Sequence, residues 1–85
     1  MKEYFFTFGL AHPLSNMVQI VIAPDEEFAR FGMIELYGHK WGFAYDEHMA
    51  KHEGNTVTIG KHMYATTPKD IVVNEDNNVS VVTKE

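Results

Sequence analysis

Residues 29–45 constrain the fold more than any other stretch of this chain. Their apolar positions first recur with the helical period of about 3.6 residues and then with the strand period of about 2. The helical positions are Ala29, Gly32, Met33, Leu36 and Tyr37, and the strand positions are Trp41, Phe43 and Tyr45. Gly38 separates the two patterns, and glycine readily adopts the left-handed conformation that ends many helices. The stretch therefore predicts a helix that ends at Gly38 and a strand over residues 41–45.

The start of this helix is predicted at Asp25, which gives a helix over residues 25–37. Asp25 can cap the first turn, and Glu26 and Glu27 place negative charge at the positive end of the helix. Gly32 costs roughly 1 kcal/mol relative to alanine in a helix interior. We therefore expect Gly32 to mark a place where the helix lies close to a sheet.

Two strands are predicted before the helix, over residues 4–8 and over residues 17–23. Both are rich in aromatic or β-branched residues, and the short loop between them favours an antiparallel hairpin. After the helix, residues 41–45 would join the sheet beside the first strand, which gives the strand order 2-1-3, all antiparallel. We expect the aromatic side of residues 41–45 to face inward.

The next part of the chain gives weaker patterns. Residues 46–52 favour a short second helix, because Asp46 can cap its first turn. Residues 56–59 alternate like a strand. Residues 60–70 are predicted to be irregular, since Pro68 cannot donate a hydrogen bond within a sheet.

The last residues predict a C-terminal β-hairpin. Residues 71–73 and 79–83 are β-branched runs on either side of a polar turn. The predicted fold class is therefore α+β, a small antiparallel β-sheet with a β-β-α-β core packed on one main helix, with a short second helix and this hairpin. We expect a single domain over residues 1–85, with the ββαβ core in residues 1–45 and the short helix and C-terminal strands in residues 46–85.

The composition narrows the classes of function. The chain has no cysteine, which excludes disulfides, thiolate zinc sites and cysteine nucleophiles. The formal net charge of −5 and the scattered Lys and Arg argue against direct nucleic-acid binding and suit a protein partner with a basic surface. No apolar run approaches the roughly 20 residues that span a membrane, and the N-terminal residues make a poor signal peptide, so we expect a cytoplasmic protein. Because 85 residues support only a small core, a homodimer is one way to gain stability.

Two motifs in the first half resemble a family of small proteins that bacteriophages and bacterial mobile elements encode. The first motif is F-T-F-G at residues 6–9 followed by H-P-L at residues 12–14. The second is A-R at residues 29–30, Met33, and Y-G-H-K-W-G-F-A-Y at residues 37–45. The resemblance implies a phage or prophage accessory gene in the host bacterial cytoplasm, and such accessory proteins often bind and block host machinery, anti-CRISPR proteins included. The second half of the chain departs from the short acidic tail of that family.

The loop over residues 9–14 is the best candidate for a binding site. It contains His12, Pro13 and Leu14 beside an aromatic strand, where a loop can offer hydrogen-bond donors and a stacking surface. His12 could act as a base or hydrogen-bond a nucleotide. The structural interpretation is that Pro13 and Leu14 shape the turn and that His12 holds it by a hydrogen bond to the backbone. No phosphate-binding glycine motif is present.

Three histidines form a weaker candidate for a metal site. His48 and His52 would share one face of the predicted helix over residues 46–52, and His62 follows after a loop. Imidazoles one turn apart, with a third ligand, can bind zinc. The order lacks the H-E-x-x-H pattern that supplies a general base, and the structural interpretation is a pair of solvated histidines.

Acidic residues offer one more hypothesis, which depends on the fold. The groups at residues 25–27, 46–47 and 75–76 could together imitate a phosphate backbone if the fold brought them together. Their structural interpretation is helix capping for the first two groups and a solvated turn for the third.

The leading functional hypothesis is a non-enzymatic protein, without a cofactor, that binds a host or phage protein. An inhibitor of a bacterial defence system is its most specific version, and that version depends on the resemblance. The alternative is a small-ligand or nucleotide-binding protein that uses the loop over residues 9–14. A metal-dependent enzyme that uses the three histidines is the third hypothesis.

Overall fold

The computed structural model describes residues 1–47 and 50–84, with the side chains of residues 50, 52 and 53 outside that description. The described residues form one helix and seven strands. In chain order these are β1 (Lys2–Thr7), β2 (Met17–Ala23), α1 (Glu26–Tyr37), β3 (Ala44–Asp46), β4 (Ala50–Glu53), β5 (Thr56–Ile59), β6 (His62–Val73) and β7 (Val79–Thr83). The fold is a small α+β domain in which α1 covers one side of a curled, mixed sheet.

The sheet has the strand order β3-β1-β2-β6-β5-β4, and β7 also pairs with β6. The predicted order 2-1-3 is present at one end, where β1 lies antiparallel between β2 and β3. The sheet as a whole is not antiparallel, because β2 pairs in parallel with β6. The prediction is wrong on this point because it left β2 at an edge. Val21 is buried on one side of the sheet and Val18 and Ile20 on the other, which is typical of a strand in the interior of a sheet.

Strand β6 replaces the predicted irregular segment over residues 60–70, so that prediction is wrong. Its first half pairs with β5 and its second half with β7, end to end along the same edge. Pro68 is tolerated because the register between β2 and β6 shifts between Val18 and Ile20, next to Gln19. The buried Gln19 amide donates to the carbonyl oxygen of Lys69 at 2.9 Å, which satisfies the backbone at this irregularity.

The C-terminal hairpin forms, but its first strand is the longer β6. Val73 pairs with Val79 across the turn. The Asn74 side chain accepts hydrogen bonds from the backbone N–H groups of Asp76 and Asn78, at 2.9 and 3.1 Å. This polar turn therefore has the role that the sequence predicted for it.

The short helix predicted over residues 46–52 is wrong. Asp46 ends β3 opposite Tyr4, and Ala50–Glu53 forms β4, which is antiparallel to β5. Gly54, with a φ of 63°, lies in the turn between β4 and β5. Pairing with β5 therefore overrides a capping signal that is too short to fix a helix.

The strand predicted over residues 41–45 is shifted to Ala44–Asp46, and its aromatic residues do not face one way. Phe43 is 73% exposed, whereas Trp41 and Tyr45 pack against different sides of the sheet. The alternation fails because the chain approaches β1 irregularly at Gly42, where a Cβ atom would lie 2.9 Å from Thr7 Oγ1. The expectation of an inward aromatic side is therefore wrong.

Helix α1 follows the sequence prediction closely. The Asp25 side chain accepts from Phe28 N at 3.1 Å, and Gly38 ends the helix with a φ of 68°. A Cβ atom on Gly32 would lie only 2.7 Å from Val73 Cγ2, which confirms the close approach to the sheet. Leu36 is an exception to the predicted apolar side, since it is 38% exposed.

Two apolar clusters hold the sheet from its two sides. The cluster under α1 contains Tyr4, Phe6, Phe8, Val21, Ala23, Ala29, Met33, Ile71 and Val73. The opposite cluster contains Phe5, Val18, Ile20, Val57 and Ile59. Alternate residues of β1 thus enter different clusters, so β1 is buried on both sides and fixes the position of the loop that follows it.

Candidate functional site

A cleft of about 530 Å³ opens beside the C-terminal end of α1. It is lined by Gly9, Ala11, His12, Pro13, Lys40 and Trp41. The fold thus brings the predicted loop residues His12 and Pro13 next to Lys40 and Trp41, which follow the helix stop. The volume lies within the range of roughly 300–1,000 Å³ that is usual for ligand sites.

His12 is held firmly on one side of the cleft. Its ring lies 4.6 Å from the Phe8 ring, centroid to centroid, at an angle of 33°. Nδ1 accepts a hydrogen bond from Leu14 N at 3.0 Å, so the neutral imidazole carries its proton on Nε2. The structural interpretation of His12 is therefore confirmed, and Nε2 is the nitrogen that remains for a partner.

The loop is built from consecutive turns that use its own backbone groups. His12 N donates to Gly9 O, Ser15 N to His12 O and Met17 N to Leu14 O, at 3.0, 3.0 and 2.9 Å. Leu14, a predicted site residue, packs against the cluster under α1 instead of lining the cleft. The loop therefore offers side chains more than backbone donors to a partner.

Trp41 forms the other wall of the cleft and is the residue that sequence reasoning missed. Its indole Nε1 donates to Gly38 O at 3.0 Å, and its ring meets Phe6 edge-on at 5.0 Å. The Arg30 guanidinium lies 5.6 Å from the indole centroid. The prediction assigned Trp41 to a regular core strand and gave Lys40 no role in a site. The signal for their role was their position immediately after the Gly38 stop, where the chain turns toward the loop.

Two further recesses adjoin this cleft. The second, of about 360 Å³, is lined by Arg30, His39, Trp41, Gly42, Phe43 and Ala44. The third, of about 480 Å³, is lined by Phe8, Leu10, Ser15, Asn16, Lys61, His62, Met63 and Tyr64. Trp41 belongs to both the cleft and the second recess, and Leu10 of the third recess lies between two cleft residues in the chain.

The helix on which the metal hypothesis was based is not formed at His52, whose backbone is in β4. His48 and the side chain of His52 lie outside the described residues. His62 is exposed at the start of β6, with its ring 6.3 Å from that of Tyr64. Among the side chains that the structure describes, which exclude those of His48, His52 and Glu53, no three His, Asp or Glu converge as a metal site would require.

Four carboxylates act electrostatically on the buried Tyr4 of β1. Burial raises the pKa of the Tyr4 hydroxyl, and the negative charges of Asp25, Asp46, Glu26 and Glu47 raise it further. We call these four carboxylates the acidic end. They belong to two of the three acidic groups of the sequence, and the third group lies in the turn between β6 and β7.

Comparison with protein-family models, curated proteins and solved structures finds no match to this chain. The helix of the described residues is too short and too polar to cross a membrane. Function must therefore be inferred from the surfaces of the molecule.

Proposed function

We propose that this chain is a non-enzymatic protein that acts by binding another protein. Its binding surface consists of Leu10, His12, Pro13, Trp41 and Phe43. The observation that carries the proposal is the exposure of two large apolar side chains beside the cleft, 98% for Leu10 and 73% for Phe43. Neither side chain gains stability from packing in the isolated chain, so covering them with a partner would stabilise a complex.

The chemistry of this surface supports the proposal. Aromatic residues and arginine are enriched at the centres of protein interfaces and often dominate their binding energy. Trp41 and Phe43 supply the aromatic rings, and Arg30 lies over the indole. The turns of the loop and the stacking of His12 on Phe8 also fix the surface before binding, which lowers the entropy lost on association.

The most specific version of the proposal is an accessory protein of a phage or prophage that inhibits a bacterial defence system. This version depends on the resemblance of residues 6–14 and 29–45 to phage-encoded proteins. On this view the partner is a host or phage protein in the bacterial cytoplasm.

A second candidate function is the binding of a small ligand or nucleotide in the cleft. The observation that favours it is a concave volume of about 530 Å³ with a cation, Lys40, and the Nε2 of His12 at its walls. A thermal-shift screen of nucleotides would reveal such a ligand as an increase in melting temperature.

Affinity capture from a bacterial lysate tests the proposal. Three baits are compared: the wild-type chain, a Leu10→Ser/Phe43→Ser double variant and a Val82→Ser control. Val82 serves as the control position because its side chain lies on β7 and is 52% exposed. We expect a protein that the wild type and the control capture and that the double variant loses. Equal capture by all three baits, or no capture together with stabilisation by a nucleotide, would overturn the proposal.

A further inference from the structure

The cleft and its two neighbouring recesses share one charge pattern. Each is lined by one Lys or Arg and one His: Lys40 with His12, Arg30 with His39, and Lys61 with His62. None of the described residues that line them is Asp or Glu. The chain has 12 acidic and 7 basic residues, so this surface is opposite in sign to the composition of the whole protein.

The cations of this surface are available to a partner. Arg30 has an ion pair with Glu26, at 3.5 Å between Nε and Oε2, but both side chains are about half exposed, so the pair contributes little. Within the described part of the chain, Lys40 and Lys61 have no ion pair. A carboxylate of a partner would therefore replace no strong internal interaction.

Each recess also presents apolar side chains next to its cation. Phe43 lies in the second recess, Trp41 and Pro13 line the cleft, and Leu10 and Met63 line the third recess. Met63 is 68% exposed. We therefore expect a ligand that occupies all three recesses to carry both negative charges and apolar groups on the side that faces the protein.

We propose that this surface binds an extended acidic segment of the partner protein. The carboxylates of the segment face Arg30, Lys40 and Lys61, and its apolar side chains fill the recesses. This inference rests on the proposed function, because it specifies which part of the protein partner is recognised.

A peptide fits these observations better than a single-stranded nucleic acid. A polyanion is held mainly by many phosphate contacts, and here three Lys or Arg residues act against a net charge of −5. Leu10, Met63 and Pro13 suit apolar side chains and offer no ring on which a base could stack. The surface therefore favours side chains as the occupants of its recesses.

Trp41 is the only tryptophan of the chain, so its fluorescence reports occupancy of the cleft directly. The probe is a synthetic peptide of about ten residues in which every second position is occupied by Glu and by Leu or Phe in turn, with Ser between them, because alternate residues of an extended chain point to the same side. Its length follows from the roughly 3.3–3.6 Å that each extended residue spans and from the longest dimension of the protein, 34 Å. A matched peptide replaces each Glu with Gln, and an oligothymidylate of similar length represents nucleic acid.

We expect the acidic peptide to change the Trp41 emission and to bind about tenfold or more tightly than the Gln peptide, a difference of about 1.4 kcal/mol. Lys40→Glu should weaken binding of the acidic peptide about tenfold, because it puts a like charge beside the carboxylate that faces position 40. Lys2→Glu makes the same change of charge on an exposed residue at the other end of β1 and should alter binding less than about twofold. Retained far-UV circular dichroism shows that the variants fold.

Three results would overturn the inference: no change in emission with the acidic peptide, equal binding of the Gln peptide, or tighter binding of the oligothymidylate. The lysate experiment separates this failure from that of the proposed function. If a captured protein depends on Leu10 and Phe43 but binds the Lys40→Glu variant as well as the wild type, the protein-binding function stands and the acidic segment is wrong. If capture is also independent of Leu10 and Phe43, both proposals fail.

Discussion

The two ends of β1 carry the most distinctive surface chemistry of the molecule, and they differ in what their residues do for the fold. At the acidic end, Asp25 caps α1, and the charges of the four carboxylates raise the pKa of a buried tyrosine. At the other end, Leu10 and Phe43 are exposed beside a cleft that contains cations. The residues of the acidic end have a structural role. At the other end, packing does not explain why Leu10 and Phe43 are apolar. We therefore place function at the second end.

The largest expected effect on stability is that of a substitution at Phe8, which lies between the binding surface and the core. Phe8 is 5% exposed and supports the His12 ring. We expect Phe8→Ala to lower the free energy of unfolding by about 3 kcal/mol, because a buried ring is lost and a cavity remains. Chemical denaturation measures the loss, and a change below about 1 kcal/mol would contradict the packing described for the loop.

Alkaline pH is expected to destabilise the protein through Tyr4 at the acidic end. The pKa of its hydroxyl is raised above 10.0 in the folded state. Above that pH the unfolded chain releases the proton that the folded chain retains, so stability is full below about pH 10 and falls as pH rises further. The slope due to this group cannot exceed about 1.4 kcal/mol per pH unit.

Denaturation of wild type and Tyr4→Phe between pH 9 and 11 isolates this contribution. The variant should lose less stability than the wild type over this range. Tyr64→Phe is the matched control and should behave like the wild type, because it leaves Tyr4 in place. If the Tyr4→Phe variant lost as much stability at alkaline pH as the wild type, Tyr4 would not be the cause of the loss.

Removal of the helix cap at the acidic end should have the next largest effect on stability. Asp25→Ala removes the side-chain acceptor for Phe28 N, and we expect a loss of about 1 kcal/mol in the free energy of unfolding. Glu27→Ala, in the same helical turn, keeps the cap and should lose less than about 0.5 kcal/mol. Neither variant should reduce capture of the partner. If either variant lost capture of the partner while its stability stayed unchanged, the binding surface would lie at the acidic end.

The smallest effect on stability is expected at the binding surface itself. Leu10→Ser and Phe43→Ser should each change the free energy of unfolding by less than about 0.5 kcal/mol, because both side chains are exposed. The same substitutions should abolish capture of the partner. A stability loss above about 1 kcal/mol would show that these side chains belong to the core and would weaken the contrast between the two ends.

The sequence predicted α1 well, because its signals are local. The Asp25 cap and the stop at Gly38 each depend on residues within a few positions. The glycine at position 32 also marked the close approach to the sheet, although the residues that it approaches, such as Val73, are distant in the chain. The hairpin of β1 and β2 and the polar turn before β7 were predictable for the same reason. Strand β6 was not, because its parallel pairing with β2 joins residues about fifty positions apart and leaves no periodic signal.

Half of the candidate site could be predicted. The loop containing His12 and Pro13 lies in the cleft as expected for a loop after an aromatic strand. Trp41 and Phe43 were assigned to an inward strand because their spacing of two fits one. The irregular approach at Gly42 breaks that alternation, and only the contact with Thr7 reveals it.

A nuclear magnetic resonance titration of the ¹⁵N-labelled protein with the acidic peptide tests the central claim most directly, since it compares both ends of β1 in one sample. We expect amide shifts to change at residues 9–13 and 39–43, and we expect the amides of Asp25 and Asp46 to stay unchanged. Shift changes confined to the acidic end, or none at either end, would contradict it.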